Sequence, residues 1–401
     1  MRSADRETPP ANLTTVLMRP VHAVVLPPGP ELRHAVAEAL DGGPAVLPLN
    51  PGSPAPALRG LLTALRPTHL RDEDGVRPLR GGAGVPAEIA VVIATSGSTG
   101  VPKGVQLSAH ALRASAAASL ARLGATPGER WLCCLPISHV AGLQVLVRAL
   151  LSGSEPIVHE GFDPGAVAAS GADRVSLVPT QLRRMIDLGY DLSGFRSILL
   201  GGAPAPPGLL AEAAGRGARV VTTYGMSETC GGCVYDGLPL DGVDLDLDPL
   251  GRIRIAGEVL FSGYRDPAAP YGAPGESPGK WFTTSDLGVF EGGRLRVLGR
   301  ADHVINTGGE KVVAETVAAV LGTHPDVRDV VVVGRPDPEW GERVVAVVVP
   351  RDPAAPPVLA ALREHVKERL PGHAAPRELR LVDAVPSLPS GKPDLEALRR
   401  A

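Results

Sequence analysis

Apolar positions along this chain follow two periods, and the alternation between them predicts the fold. Residues 31–40 (Glu-Leu-Arg-His-Ala-Val-Ala-Glu-Ala-Leu) carry apolar side chains at helical spacing, and 45–49 form a short apolar run that reads as a strand. A helix follows at 58–65, and the charged, Gly- and Pro-containing stretch 71–87 reads as a loop. From 89 onward short apolar strands alternate with alanine-rich helices. The spacing predicts a strand at 89–94, a helix at 109–123 capped by Ser108, a strand at 130–135 and a helix near 141–151. Strands at 174–178, 197–200 and 219–223 come next, separated by helices near 179–187 and 206–215. Such alternation predicts an α/β fold in layers with largely parallel pairing. From about 251 the pattern shifts to short strand–turn units at 251–255, 258–261 and 294–298. After Arg300 a separate α+β unit is expected, with helices at 314–321 and 356–369 and strands at 327–333, 343–349 and 378–382. The fold class is therefore α/β, a large layered domain with a β-rich subdomain over 1–299 and a small α+β domain over 300–401.

Composition narrows the function classes. The net charge of −3 gives no basic footprint for nucleic acid or an anionic membrane. No apolar run reaches the ~18–20 residues that span a bilayer, and Met1 to Pro10 is charged with no signal-peptide core behind it. A cytoplasmic protein without membrane insertion is the expectation. Only 3% of residues are aromatic, so Ala, Val and Leu fill the core. Four cysteines occur as Cys133-Cys134 and as Cys230-Gly231-Gly232-Cys233. Adjacent cysteines on a strand point to opposite faces and cannot complete one metal site, so small pocket-lining thiols are expected.

The densest chemistry lies in Thr95-Ser96-Gly97-Ser98-Thr99-Gly100-Val101-Pro102-Lys103-Gly104, directly after the apolar run 89–93. Glycines let a backbone turn tightly and bring its N–H groups to an anion, hydroxyls add short donors, and Lys103 adds a point charge. A Walker A loop requires Gly before the Lys and Ser or Thr after it, whereas Pro102 and Gly104 stand there. A flexible loop is the other reading. Lysine usage favours the phosphate reading, because the chain has five lysines against 35 arginines. A lysine inside such a loop, and another at Lys392 in Ser390-Gly391-Lys392-Pro393, suggests that a compact ammonium is needed there.

Three further clusters follow in order. Tyr224-Gly225-Met226-Ser227-Glu228 ends an apolar strand, where ligands bind in α/β sheets. Its Tyr224 suits stacking on a base and Glu228 suits Mg²⁺. Asp286 closes Trp281-Phe282-Thr283-Thr284-Ser285-Asp286 and suits a ribose diol or, equally, a turn before Gly288. The stretch from Gly299 to Lys311 sits where the composition changes and reads as a functional joint or a plain linker.

The ordered set resembles the adenylate-forming superfamily of acyl- and aryl-CoA synthetases, luciferases and peptide-synthetase adenylation domains, from about Ile89 to Lys392. That resemblance implies ATP, Mg²⁺ and CoA as cofactors and a small-molecule carboxylic acid as substrate. It implies that residues 95–104 hold the β- and γ-phosphates and that Gly201-Gly202-Ala203 with Thr223-Tyr224-Gly225 frame the adenine. Glu228, beside Ser227, would bind Mg²⁺. Asp286 and Arg300 would hold the ribose, and Asp302 would be the hinge, at 300–303, of a mobile C-terminal domain. Lys392 would bridge the acid and the α-phosphate, and Gly308-Gly309 would pass pantetheine. Ala314 departs from the family, where proline is frequent, and so does Asp394, where a basic residue is frequent.

A narrower likeness lies in Leu135-Pro136-Ile137-Ser138-His139-Val140-Ala141-Gly142-Leu143, Arg148, Ser176 to Leu182 and Tyr224 to Gly237. It is similar to the o-succinylbenzoate–CoA ligases of menaquinone biosynthesis. His139, Gly142 and Gly201 would then line the acid pocket, with His139 also near the reacting centre, and Arg148 would face a carboxylate. Plainer readings are a hydrogen-bonded core histidine and a solvated helix arginine. A ligase for another aryl or fatty acid and an enzyme loading a carrier protein are the alternatives, and a homodimer is the expectation for assembly.

Overall fold

The computed structural model describes residues 17–96, 102–205, 207–265, 281–386 and 393–400. Gly97, Ser98, Thr99, Gly100 and Lys392 therefore lie outside the described residues. Two seven-stranded sheets make the frame. The first runs in space Gly263–Arg265, Pro102–Ser108, Ile89–Ser96, Ala45–Pro48, Val21–Val24, His69–Asp72, Gly75–Pro78. The second runs Ile157–Val158, Trp131–Cys133, Arg174–Leu177, Ser197–Leu200, Val220–Met226, Gly231–Tyr235, Leu238–Pro239. Strand pairs joined through helices are parallel, as the alternation predicts. Pairs that close on a short turn are antiparallel, as is Gly263–Arg265 against Pro102–Ser108.

Helices Pro30–Leu40, Ala109–Leu123 and Val140–Leu151 fill the space between these sheets. Ala109–Leu123 starts at Ser108, whose Oγ accepts from the Ala111 N–H at 3.0 Å, and stops at Gly124 with φ +58°. Val140–Leu151 packs beside it. One apolar cluster joins Val91 and Val105 of the first sheet, Leu112 and Leu146 of the helices, and Trp131, Cys133 and Leu199 of the second. Leu132 and Cys134 point the other way, into a cluster with Leu182, Met185 and Leu209. The two adjacent cysteines thus face opposite layers. Cys133, Cys134, Cys230 and Cys233 are all buried in the core rather than lining a pocket, and burial pushes the Cys133 and Cys134 thiols up to about 12.

A four-stranded antiparallel sheet, Val243–Leu247, Arg252–Gly257, Phe282–Glu291 and Arg294–Arg300, leans its Ile253, Ile255 and Leu295 on the large cluster. Beyond it Val304–Thr307, Glu310–Val313, Val327–Asp337, Gly341–Pro350 and Glu378–Leu381 form a five-stranded sheet. Helices Ala314–Leu321 and Leu359–Lys367 cover one face through Val317, Leu321, Leu362 and Val366. Leu398 packs on the other face against Val333, Val345 and Val347.

Three expectations need correction. Residues 71–87 hold strands rather than a plain loop, because His69–Asp72 and Gly75–Pro78 close a hairpin and Val85–Pro86 pairs with Met18–Arg19. The second half of the glycine-rich loop, Pro102 onward, is a strand, with Lys103 opposite Thr95. Residues 258–261 are a turn rather than a strand.

Arg265 ties this frame together from an 8% exposed position. Its guanidinium donates to the carbonyls of Leu65 at 2.7 Å, Gly84 and Arg66 at 3.0 Å, and Ala83. Burial draws its pKa down to about 10. Arg265→Met leaves four carbonyls without their donor and is expected to cost about 3 kcal/mol. A urea unfolding midpoint equal to that of the parent would remove this role.

Candidate active site

The site is built where strand Val220–Met226 ends. Gly225 approaches the returning strand so closely that a Cβ there would lie 2.0 Å from the Gly231 carbonyl oxygen. The ladder slips one residue between Tyr224 and Gly225, and the chain reverses through the 3₁₀ turn Ser227–Thr229. The turn is pinned by Thr229, whose Oγ1 accepts from the Met226 N–H at 2.9 Å and donates to the Gly231 carbonyl at 2.7 Å. Cys230 closes it with φ +52°. Tyr224 and Glu228 are thereby fixed on either side of the reversal.

Two constellations result. In the first, the Tyr224 hydroxyl donates to Asp286 Oδ2 at 2.9 Å, and Arg300, opposite Asp286 in the ladder, lies 3.7 Å from Oδ1. Burial holds the Asp286 carboxyl above its ordinary range, a shift that Tyr224 and Arg300 only partly offset. Burial likewise pushes the Tyr224 phenol up, and the Asp286 charge adds to it. Arg300 makes a bidentate pair with Asp302, 2.8 Å on each arm, which pulls the Asp302 carboxyl down. Next to it His303 Nδ1 meets Glu315 Oε1 at 2.8 Å. In the second, Glu228 Oε1 accepts from the Tyr264 hydroxyl at 2.8 Å, and Lys103 Nζ lies 5.1 Å from the centre of the same ring.

Beside these stands the adjoining strand end. Gly201 has no room for a Cβ, which would lie 2.3 Å from Thr223 Oγ1, and Gly202 has φ +82°. Ala203, Thr223 and Ser227 are half-buried. Thr95 reaches the Lys103 carbonyl with its hydroxyl at 3.4 Å.

His139 is exposed at the start of helix Val140–Leu151, so it is not a core histidine. Gly142 is explained by packing, since a Cβ there would sit 2.4 Å from the Pro136 carbonyl oxygen. Arg148, two turns on, is 5% exposed rather than solvated. Its Nη2 donates to Ser176 Oγ at 3.2 Å, its plane lies 5.1 Å from the Trp131 ring, and its Nε has no partner among the described residues. Burial lowers its pKa. Gly308 and Gly309 turn the hairpin between Val304–Thr307 and Glu310–Val313 with φ +61° and +84°. A Cβ on Gly308 would strike Trp340 at 2.7 Å, whereas Gly309 opens onto free space.

The donor sets suit the expected ligands. Glu228 offers one hard carboxylate oxygen, Oε2, with Oε1 already satisfied, as Mg²⁺ held largely by phosphate oxygens requires. The bare Cα of Gly309 fits the close passage of a slender thiol arm.

Residues 71–261 match the family model described as AMP-binding enzyme, and residues 316–392 match the AMP-binding enzyme C-terminal domain. A probable 2-succinylbenzoate–CoA ligase of Mycobacterium tuberculosis is 47% identical over 364 residues, covering 86% of this chain and 94% of that protein. This chain belongs to the AMP-binding enzymes. Another relative in that family, the 2-succinylbenzoate–CoA ligase of Bacillus licheniformis, is 33% identical over 76% of this chain and 68% of its own length. The o-succinylbenzoate CoA synthetase of Bacillus subtilis, solved with its acyl-adenylate intermediate, superposes with a TM-score of 0.80 at 27% identity, covering 95% of this chain and 88% of that one. The AMP-binding fold accounts for the layered sheets and for the C-terminal sheet alike.

Tyr264 escaped the site reading of the sequence, and Ser176 stood in a quoted motif without a site role. Tyr264 carried one usable signal, being one of five tyrosines in a chain poor in aromatics. Since Gly225 sets the reversal, Gly225→Ala is expected to force Tyr224 and Glu228 apart at a cost of about 1–3 kcal/mol. Calorimetric titration with ATP checks it, with at least a tenfold loss of affinity expected and an unchanged affinity ruling the constraint out.

Proposed function

We propose that this chain is an ATP-dependent acid–CoA ligase that activates 2-succinylbenzoate, first as its acyl-adenylate and then as its CoA thioester. The observation that carries the acid assignment is Arg148. A guanidinium buried to 5% exposure with no carboxylate partner among the described residues is costly, and a ligand carboxylate would neutralise it. Of the two carboxylates of 2-succinylbenzoate, one is consumed by activation and the other stays ionised. Arg148, with Ser176 fixing one of its arms, supplies the countercharge for the second. The names of the relatives support the same acid.

The first step sets an acid carboxylate against the α-phosphorus, and pyrophosphate leaves. Both reactants are anions, so positive charge at the phosphates lowers the barrier. Lys103 supplies it from one side, and Lys392 supplies it from the C-terminal domain. Mg²⁺, when bound, neutralises phosphate charge, and Glu228 is the residue that would hold it. Asp286 and Arg300 orient the ribose, and Tyr224 with Gly201, Gly202 and Ala203 frames the base. His139, exposed at the start of its helix, would flank the acid. In the second step the C-terminal domain, 300–401, turns about Asp302, Lys392 withdraws and Gly308-Gly309 receives the pantetheine arm. The CoA sulfur then attacks the acyl carbon and AMP leaves. The Arg300–Asp302 pair, made through Nε and Nη2, sits at the turning point and leaves Nη1, the arm nearest Asp286, for the ribose.

An acid panel read by mass for acyl-CoA tests the assignment: 2-succinylbenzoate is expected to give product, and turnover of another acid with this one inert refutes it. Arg148→Met is expected to raise the KM for 2-succinylbenzoate by about 100-fold or more, while the thermal midpoint stays level or rises because an unpaired buried charge is gone. A lowered midpoint with unchanged KM would assign Arg148 to the core instead. Lys392→Ala is expected to slow acid-dependent pyrophosphate exchange by about 10²–10³-fold with ATP affinity nearly intact. Equal losses in both would show that Lys392 serves binding alone.

A further inference from the structure

Lys103 lies on the first seven-stranded sheet and Glu228 in the turn that follows a strand of the second, and one side chain reaches both. Tyr264 lies on strand Gly263–Arg265, paired with Val105 of the strand that carries Lys103. Its hydroxyl donates to Glu228 Oε1 at 2.8 Å, and its ring lies 5.1 Å from Lys103 Nζ. The position is rigid for stated reasons. Arg265, the next residue, is held by four carbonyls, and the fully packed Phe261 meets the Tyr264 ring edge-on at 5.0 Å. The Phe261 N–H also donates to the Glu228 carbonyl at 2.8 Å, so the same segment grips the turn by backbone and by side chain.

We propose that Tyr264 is a positioning residue that keeps Lys103 and Glu228 apart and separately aimed at the nucleotide, an inference that rests on the ligase reading above. Two opposite charges at the rim of one cleft attract each other, and a direct ion pair would neutralise both before ATP arrived. Tyr264 prevents it by giving each charge its own contact. The ring face attracts the ammonium without taking up its N–H donors, which stay available to phosphate. The hydroxyl occupies Oε1 and leaves Oε2 as the oxygen presented to the divalent cation.

Two variants separate these contacts. Tyr264→Phe keeps the ring and frees Oε1, and Tyr264→Leu removes both contacts. ATP binding to the full chain is titrated calorimetrically across a MgCl₂ series, without acid or CoA, so no turnover enters. Tyr264→Phe is expected to raise the Mg²⁺ concentration needed for half-maximal ATP affinity by about tenfold, with Mg²⁺-free ATP affinity unchanged. Tyr264→Leu is expected to lower the Mg²⁺-free affinity as well. In a Glu228→Gln background Tyr264→Phe is expected to add nothing further. An unchanged Mg²⁺ dependence in Tyr264→Phe, an equal loss with and without Mg²⁺, or an additive double variant each overturns the proposal. A parent chain that binds no ATP overturns both readings. One that binds ATP with Mg²⁺ yet activates no acid overturns the ligase reading and leaves Tyr264 to be decided by the titration.

Discussion

The close approach of two backbones at Gly225 and Gly231 is the constraint on which the site depends. Strand Val220–Met226 ends inside a sheet, and its continuation has to return as the next antiparallel strand within a few residues. Any side chain at 225 would collide with the returning carbonyl. With the collision removed, the reversal is tight enough to send Tyr224 toward the four-stranded sheet and Glu228 toward the first seven-stranded one. Three sheets thus meet through two side chains placed four residues apart. The placement of Tyr224 and Glu228 follows from that geometry.

Charge is distributed unevenly across the same junction. Asp286, Asp302 and Glu315 crowd about one guanidinium, that of Arg300, and the burial of Asp286 already strains its ionised form. A cation shared among three carboxylates has its orientation set by whichever is best placed, here Asp302 with two hydrogen bonds of equal length. On the proposed reading this couples ribose binding to the turning of the C-terminal domain, because one guanidinium is divided between the diol and Asp302. The coupling requires no long pathway, since the residues concerned are two apart in sequence.

The layered core was legible because it rests on local rules. The Ser108 cap, the Gly124 stop and the parallel strands at 174–177 and 197–200 need only period and turn chemistry. Strand Pro102–Ser108 was not legible, since Pro, Lys, Gly and Gln have low strand propensity and are held by the partners on either side. The hairpin His69–Pro78 hid for the same reason. Within the site, residue types pointed to Glu228 and to Asp286 with Arg300 and Tyr224, but Tyr264, the partner of Glu228, did not show. Tyr264 meets Lys103 across 161 positions and Glu228 across 36. Arg148 was undecidable because its helix is apolar all round, so no face of it announces solvent. Gly142 and Gly308 look alike in sequence to Gly309, yet the first two answer to carbonyl and indole contacts and only the third opens outward.

The unequal use of the two basic residues follows from the same geometry. Arginine appears where one planar fork must satisfy several fixed acceptors. Arg265 joins four carbonyls, Arg174 joins both oxygens of buried Glu129 and the Ser197 hydroxyl, and Arg300 grips Asp302 with two arms. An ammonium could not make those contacts, because its donors diverge from one point. On the proposed reading, in which Lys103 serves the phosphates, the demand at position 103 is the reverse. A charge serving a phosphate that moves during the reaction has to stay within reach of it without being committed to a fixed acceptor. The face of Tyr264 offers attraction that is broad in direction and leaves every N–H free. A guanidinium on the same ring would stack flat and turn its donors sideways into the neighbouring backbone. On that reading a chain with 35 arginines keeps a lysine there for a reason of shape, with Tyr264 as the contact that makes the choice work.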